Sequence, residues 1–156
     1  MPPKPQRGEF VDARVAILAT RWNVDIVDAL VDGARRGLRA WGVIDTNIEL
    51  LRVPGAFELP LAAAVLARRK PCCDGIVALG VVIRGETPHF DFVAGECARG
   101  LREVSVRRRL PLGFGVLTVD DPQQARRRAG PRRANKGYEA ATAMLEMLRL
   151  LRSVSA

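Results

Sequence analysis

The sequence has few of the residues that build metal centres, disulfide frameworks or membrane spans. It contains one histidine and three cysteines, of which Cys72 and Cys73 are adjacent and Cys97 stands alone. No CxxC pair is present, so we expect reduced thiols rather than a metal site or a disulfide framework. No apolar run approaches the roughly 18 residues that a membrane-spanning helix needs, and residues 1–9 lack a signal-peptide core. These absences predict a cytoplasmic protein with no bound metal and no membrane partner.

The chain has the length of one domain. Its 156 residues are 48% hydrophobic and 27% charged, which are ordinary values for a globular protein and exclude disorder along the whole chain. Residues 1–12 are rich in proline and polar groups and predict a flexible N-terminal arm. Within that arm, Phe10 and Val11 are apolar and suited to adding a strand to a neighbour's sheet. Residues 13–156 are predicted to form a single domain.

Basic residues outnumber acidic ones, 25 against 17, for a net charge of +8. Such an excess is typical of proteins that bind nucleic acid, anionic membranes or small anions. Here the cations cluster where predicted helices end, and cations at those positions complement the helix dipole. The clusters are Arg35, Arg36 and Arg39; Arg68, Arg69 and Lys70; Arg107, Arg108 and Arg109; and Arg126, Arg127 and Arg128. We therefore expect no nucleic-acid partner, and a basic nucleic-acid-binding protein is the less favoured alternative.

Apolar patterns of two kinds alternate along the body of the chain. Near-continuous apolar runs, typical of strands buried on both faces, cover 14–19, 48–53, 75–83 and 112–119. Helical periodicity follows each run, at 24–41, 57–69, from about 89, after Asp121-Pro122, and at 137–152. Asn23 is a candidate cap for the first helix, and Gly42 is suited to ending it. This order predicts an α/β fold, a three-layer α/β/α sandwich with a four-stranded parallel sheet flanked by helices.

Ligands of such sheets bind beyond the carboxyl ends of the strands, so the first two strand-to-helix junctions are candidate sites. Trp22 follows the first strand, where a flat ring either stacks on a planar ligand or covers the end of the sheet. The second junction turns at Pro54-Gly55 and brings Phe57 to the sheet edge. Glu58 in the next turn either complements the helix dipole or accepts hydrogen bonds from a ligand.

The third junction, residues 84–89, carries the clearest chemistry. Gly85 lets the backbone approach a ligand closely, and the N–H groups of Glu86 and Thr87 precede a helix start, which favours a phosphate or another oxyanion. His89 stands beside them, and histidine is the usual proton-transfer group near neutral pH. The pattern predicts an anion site with a histidine next to it.

With these pieces in view, the chain resembles the lumazine synthases of riboflavin biosynthesis. The resemblance runs from about residue 13 to residue 151. It rests on ATRWN at 19–23, VPGAFELP at 53–60, LGVVIRGETPHF at 79–90, FGVLT at 114–118, RAG at 128–130 and NKG at 135–137. Trp22 stands where phenylalanine is commoner in the family, and Val81 where threonine is common.

The resemblance implies a flavodoxin-like fold and a reaction that needs no cofactor. In that reaction 5-amino-6-(D-ribitylamino)uracil condenses with 3,4-dihydroxy-2-butanone 4-phosphate to give 6,7-dimethyl-8-ribityllumazine, phosphate and water. The residues it implies for the ribitylamino-uracil are Trp22, Ala56, Phe57, Glu58, Val81, Val82, Ile83, Phe114 and Lys136. Those for the butanone phosphate are Gly85, Glu86, Thr87 and Arg128, and the residue for proton transfer is His89.

The resemblance also implies a homo-oligomer, a cyclic pentamer with active sites shared between adjacent subunits. Phe114, Arg128 and Lys136 are expected to come from the neighbouring subunit. A 60-subunit icosahedral shell stays open, because the connection from Gly130 to Lys136 has the short length of shell-forming relatives but carries Pro131 and paired arginines. The alternative function is a non-catalytic flavin- or nucleotide-binding module of the same fold.

Overall fold

A computed structural model describes residues 4–6, 8–132 and 134–156. In these ranges it contains the strands β1 (Val15–Thr20), β2 (Ile48–Val53), β3 (Gly75–Ile83) and β4 (Leu112–Val119). The helices are α1 (Val24–Ala40), α2 (Leu59–Leu66), α3 (His89–Arg108), α4 (Pro122–Arg128) and α5 (Lys136–Val154), with 3-10 turns at Asp45–Asn47 and Ala56–Glu58. None of the described helices has both the length and the apolarity that a membrane crossing requires.

The strands form one parallel sheet in the order β2-β1-β3-β4. All six residues of β1 are buried, because alternate side chains face opposite sides of the sheet and both sides are covered. Ile17 packs in a core with α1, α4 and α5, and Leu18 packs in a second core with α2 and α3. The predicted three-layer α/β/α sandwich with a flavodoxin-like, four-stranded parallel sheet is therefore confirmed.

The ends of α1 test two of the sequence predictions. Gly42 has a φ of 94°, and its N–H donates to the carbonyl of Arg39 while that of Val43 donates to Leu38, so the glycine ends the helix as predicted. Asn23 does not cap α1 through its side chain, contrary to the prediction. It takes the left-handed conformation, φ 54° and ψ 52°, and its carboxamide makes no cap bond.

The helix predicted at 57–69 is shorter in the structure. The chain first makes the 3-10 turn Ala56–Glu58, and the regular helix then covers only Leu59–Leu66. Pro60 lies in the first turn of this helix, where its missing N–H costs no hydrogen bond.

Residues 8–12 of the predicted arm form turns against the domain. Phe10 is fully buried, with its ring centroid 5.9 Å from that of Trp41. Glu9 accepts hydrogen bonds from the Arg149 guanidinium, which lowers the pKa of the glutamate. Phe10 is thus used in the core of its own chain, which leaves Val11, 52% exposed, for any contact with a neighbour's sheet. Residues 1–3 and 7 of the arm lie outside the described residues, and its flexibility stays a prediction.

Candidate active site

A cavity of about 670 Å³ opens at the carboxyl ends of β1, β2 and β3. The strand order reverses between β1 and β3, and open parallel sheets bind ligands at this kind of switch point. The cavity brings together ten of the residues singled out from the sequence: Trp22, Ala56, Phe57, Glu58, Val81, Val82, Ile83, Gly85, Thr87 and His89. It is also lined by Asn23 and Gly55, which belong to the first two candidate junctions, and by Phe90, Phe92 and Val93, which were not predicted as site residues.

Three uncovered aromatic rings border the cavity, those of Trp22, Phe57 and Phe92. Trp22 is 71% exposed and Phe57 is 59% exposed, so neither ring is used to close the protein core. Gly55 lies directly beside the indole, and a Cβ there would come within 3.3 Å of both Trp22 Cδ1 and Glu58 Oε2. The glycine therefore allows the indole and the carboxylate to approach the same point. This arrangement suits a flat, polar ring.

Asn23, the last residue of the first candidate junction, lines the cavity as well as preceding α1. Its backbone carbonyl accepts from Ile26 and Val27 in the normal helical way, while its carboxamide has no hydrogen-bond partner in the described part of the chain. Asparagine tolerates the left-handed conformation better than most residues. A free carboxamide at the cavity offers one donor group and one acceptor group to a ligand.

The turn from Gly85 to Pro88 is open and polar. The N–H groups of Gly85, Glu86 and Thr87 donate to no acceptor among the described residues, and a Cβ at Gly85 would meet nothing within 4 Å. The 20-residue helix α3 begins directly after this turn, at His89, so its positive end faces the same space. The turn can therefore receive an oxyanion through its backbone, with Glu86 contributing from outside the cavity lining.

His89 is the first residue of α3 and lies exposed at the cavity. Its backbone N–H donates a long hydrogen bond, 3.4 Å, to Thr87 Oγ1. This bond connects the backbone that carries the imidazole to the preceding turn. Burial raises the pKa of Cys73 and of Cys97 to about 11, so both are neutral thiols near pH 7, and neither lines the cavity. Among the residues around this cavity, the histidine is the proton-transfer group best suited to neutral pH.

Phe114, Arg128 and Lys136 do not reach this cavity. They surround a separate recess of about 170 Å³ along the edge strand β4. In the sheet, Phe114 pairs with Ala78 of β3. Ala78 comes three residues before the cavity residue Val81, so Phe114 lies about 10 Å from Val81 along the strand direction, toward the amino ends of the strands. Within one chain, the residues implied by the resemblance thus fall into two groups.

The two cations of the recess both have partners in the chain. An Arg128 N–H donates to the Gln124 carbonyl at 3.2 Å, and Lys136 Nζ lies 2.6 Å from Glu139 Oε2. Both contacts are local to a helix and exposed, so they are weak enough to be exchanged for a ligand anion.

Asn135 fixes the start of α5, and with it Lys136. Its side chain is buried and fully hydrogen-bonded: Oδ1 accepts from the N–H groups of Gly137 and Tyr138, at 2.8 and 3.2 Å. Nδ2 donates to the carbonyls of Ala29 in α1 and Gly130, at 3.0 and 2.8 Å. One carboxamide thereby holds α1, α5 and the connection after α4 together beside the recess.

The chain matches a known protein family. The model of the 6,7-dimethyl-8-ribityllumazine synthases matches residues 12–152. That range contains the cavity at the ends of β1, β2 and β3, the recess along β4 and every described strand. Because the match extends over most of its length, the chain belongs to the 6,7-dimethyl-8-ribityllumazine synthase family.

Proposed function

We propose that the protein is a transferase that condenses 5-amino-6-(D-ribitylamino)uracil with 3,4-dihydroxy-2-butanone 4-phosphate, releasing phosphate and water as it forms 6,7-dimethyl-8-ribityllumazine. One observation carries the proposal: in a chain of this family, a single cavity combines uncovered aromatic rings, a turn with free N–H groups and the only histidine. Each of these parts corresponds to one need of the reaction, namely a planar substrate, a phosphate and a proton carrier.

The pyrimidine occupies the part of the cavity between Trp22 and the end of β3. Trp22 stacks on the heterocycle, with Phe57 on the other border. Val81 and Ala56 are buried, so they contribute backbone groups to the ligand rather than side chains. The backbone groups of Val82 and Ile83 also bind the ligand, and the Glu58 carboxylate accepts hydrogen bonds from the ribityl hydroxyls.

The phosphate ester binds at the turn of Gly85, Glu86 and Thr87, where free N–H groups and the α3 dipole offset its charge. His89 then moves protons while the 5-amino group forms an imine, phosphate leaves and the second amine closes the ring. Holding two reactants together supplies much of the acceleration, up to about 7–11 kcal/mol of barrier in ideal cases. Proton transfer by the histidine adds about 10²–10⁴-fold to the rate.

A shared site is the simplest reason for the separation of Phe114, Arg128 and Lys136 from the cavity of their own chain. In this proposal a neighbouring subunit brings its β4 edge to the cavity, and Arg128 then supplies a counter-charge to the phosphate. We propose the cyclic pentamer for this assembly, with the 60-subunit shell as its larger form. The protein acts in the cytoplasm on small molecules, without nucleic acid or membrane.

The decisive experiment mixes the purified protein with both substrates and records the absorbance and fluorescence of the lumazine. Turnover that is lost when either substrate is omitted supports the proposal. If the protein binds ribitylated rings but forms no product, the proposal is wrong and the alternative function, a non-catalytic flavin- or nucleotide-binding module, is favoured. Light scattering at micromolar protein tests the assembly: a mass of five or of 60 chains of 17.1 kDa agrees with it, and a monomer or dimer contradicts the shared site.

A further inference from the structure

The first turn of α3 carries His89, yet packing holds this turn only weakly. The first buried residue of the helix is Cys97, more than two turns later. Phe92 is 69% exposed, and the preceding turn makes no backbone hydrogen bond through the N–H groups of Gly85, Glu86 or Thr87 in the described part of the chain. Within one chain, the half-buried Val93 is the first residue of the helix that packs against the core, so the side chains of the first turn itself are positioned by contacts outside the core.

Arg84, at the end of β3, makes three contacts that bear on this turn. Its guanidinium carbon lies 4.4 Å from the centroid of the Phe90 ring, and Nη1 is 3.8 Å from Asp91 Oδ1. Both partners belong to the first turn of α3, directly after His89. The third contact leads away from the helix, since Nε donates to Asp120 Oδ1 at 3.0 Å.

The far end of this connection is well anchored. The Asp120 N–H donates to Gln124 Oε1 at 2.9 Å, while the Gln124 N–H donates to Asp121 Oδ1 at 2.9 Å, so the turn between β4 and α4 is closed by two side chains. The Arg84 N–H also donates to the Val119 carbonyl at 2.9 Å, which holds the end of β3 to the end of β4. Arg84 thus joins a weakly packed turn to a fixed one.

We infer that Arg84 is a positioning residue for His89, acting through Phe90 and Asp91. It fixes the first turn of α3 and the phosphate turn against the β4–α4 turn, and it touches no substrate itself. The inference rests on the proposed function. Because the Arg84 side chain is half exposed and both carboxylates are about two-thirds exposed, these ion pairs matter little for folding. A displacement near 1 Å at a reacting group, however, can cost on the order of a hundredfold in rate.

The test compares Arg84→Met, Arg84→Lys and Asp120→Asn with the wild type. Methionine keeps the aliphatic length but removes the charge and the fork of donors, so kcat is expected to fall about tenfold to hundredfold. KM for the ribitylamino-uracil should stay within about threefold, because its part of the cavity is untouched. Lysine cannot stack on Phe90 and donate to both carboxylates, so Arg84→Lys recovers only part of kcat, and Asp120→Asn loses less than Arg84→Met.

The control variant is Arg107→Met. Arg107 forms an ion pair with Glu103 at 2.6 Å near the other end of the same helix, far from the cavity. It should leave kcat unchanged. A kcat of Arg84→Met within twofold of the wild type would overturn the inference, as would variants at both Arg84 and Asp120 that fail to fold, because the arginine would then be structural.

A second readout does not depend on turnover. His89 is the only histidine, so its Cε1–H resonance is a single probe of the imidazole's surroundings. We expect that resonance to shift and broaden in Arg84→Met and to stay unchanged in Arg107→Met. If the wild type forms no lumazine, the proposed function fails while this measurement still judges the position of His89. An unchanged resonance in Arg84→Met refutes the positioning role.

Discussion

Asn135 is the residue whose replacement the structure allows us to predict in most detail. The variant Asn135→Ala removes four hydrogen bonds at a buried position, two accepted from the first N–H groups of α5 and two donated to carbonyls. Loss of an asparagine N-cap costs about 0.5–2 kcal/mol. The Ala29 carbonyl keeps its helical donor, so each lost amide bond adds only about 0.5–1.5 kcal/mol.

Together these contributions predict a loss of about 1.5–5 kcal/mol in the free energy of unfolding. For a chain of this length each kcal/mol lowers Tm by roughly 2–4 °C, so Tm should fall by about 3–20 °C. No rearrangement of the neighbouring backbone is expected to fill the space. A Cβ on Gly33 would lie 2.0 Å from Asn135 Oδ1, which shows how closely α1 and this side chain approach.

Two further variants separate the two halves of the carboxamide. Asn135→Ser keeps an oxygen for the helix cap but loses both amide donors, so it should show about half of the alanine loss. Asn135→Asp keeps the cap acceptors but sets a second oxygen against the carbonyls of Ala29 and Gly130. We expect it to be at least as unstable as Asn135→Ala at neutral pH.

Urea unfolding followed by circular dichroism at one fixed protein concentration measures these differences, since assembly makes the midpoint depend on concentration. Asn47→Ala is the matched control, because the Asn47 amide makes a single 3.3 Å bond to the Val11 carbonyl. It should cost less than about 1 kcal/mol. The reasoning is refuted if Asn135→Ala is as stable as this control, or if Asn135→Asp is as stable as the wild type.

Four other predictions follow from the same contacts. His89→Ala should slow turnover clearly, within the range of about 10²–10⁴-fold, without lowering Tm, and a wild-type rate across neutral pH would exclude proton transfer by this residue. Arg128→Ala should raise KM for the butanone phosphate and leave KM for the pyrimidine nearly unchanged in steady-state kinetics. Arg127→Ala is the control, and an equal rise of KM in both variants would mean that the positive charge of the cluster acts without a specific contact. Thr20 has a buried hydroxyl with no hydrogen-bond partner among the described residues, so Thr20→Val should stabilise the fold by up to about 1–2 kcal/mol in urea titrations, and a loss of stability would mean that the hydroxyl is bonded after all. Glu9→Gln should destabilise the protein at pH 7; because the pKa of this glutamate is lowered in the fold, the difference in Tm from the wild type should shrink as pH falls below 4.5, the ordinary value, and a pH-independent difference contradicts the ion pair.

The sequence alone determined the elements of the fold and one part of the site. The four buried runs and the helical periodicities are local patterns of burial. They therefore predict strands and helices whatever the order of the strands, provided that both faces of the sheet are covered. Gly42 ended its helix as predicted because a positive φ is a property of the residue itself. The junction residues Trp22, Phe57 and His89 met at one cavity because the carboxyl ends of parallel strands lie at one edge.

Only the tertiary structure decided which strands are neighbours and what lies between them. The order β2-β1-β3-β4 and the separation of Phe114 from the cavity depend on pairings between distant parts of the chain, which local patterns do not contain. The burial of Phe10 against Trp41 likewise follows from packing rather than from propensity. For the same reason, the contacts of Arg84 with Phe90 and Asp120 exist only because the fold brings the ends of β3 and β4 and the start of α3 together.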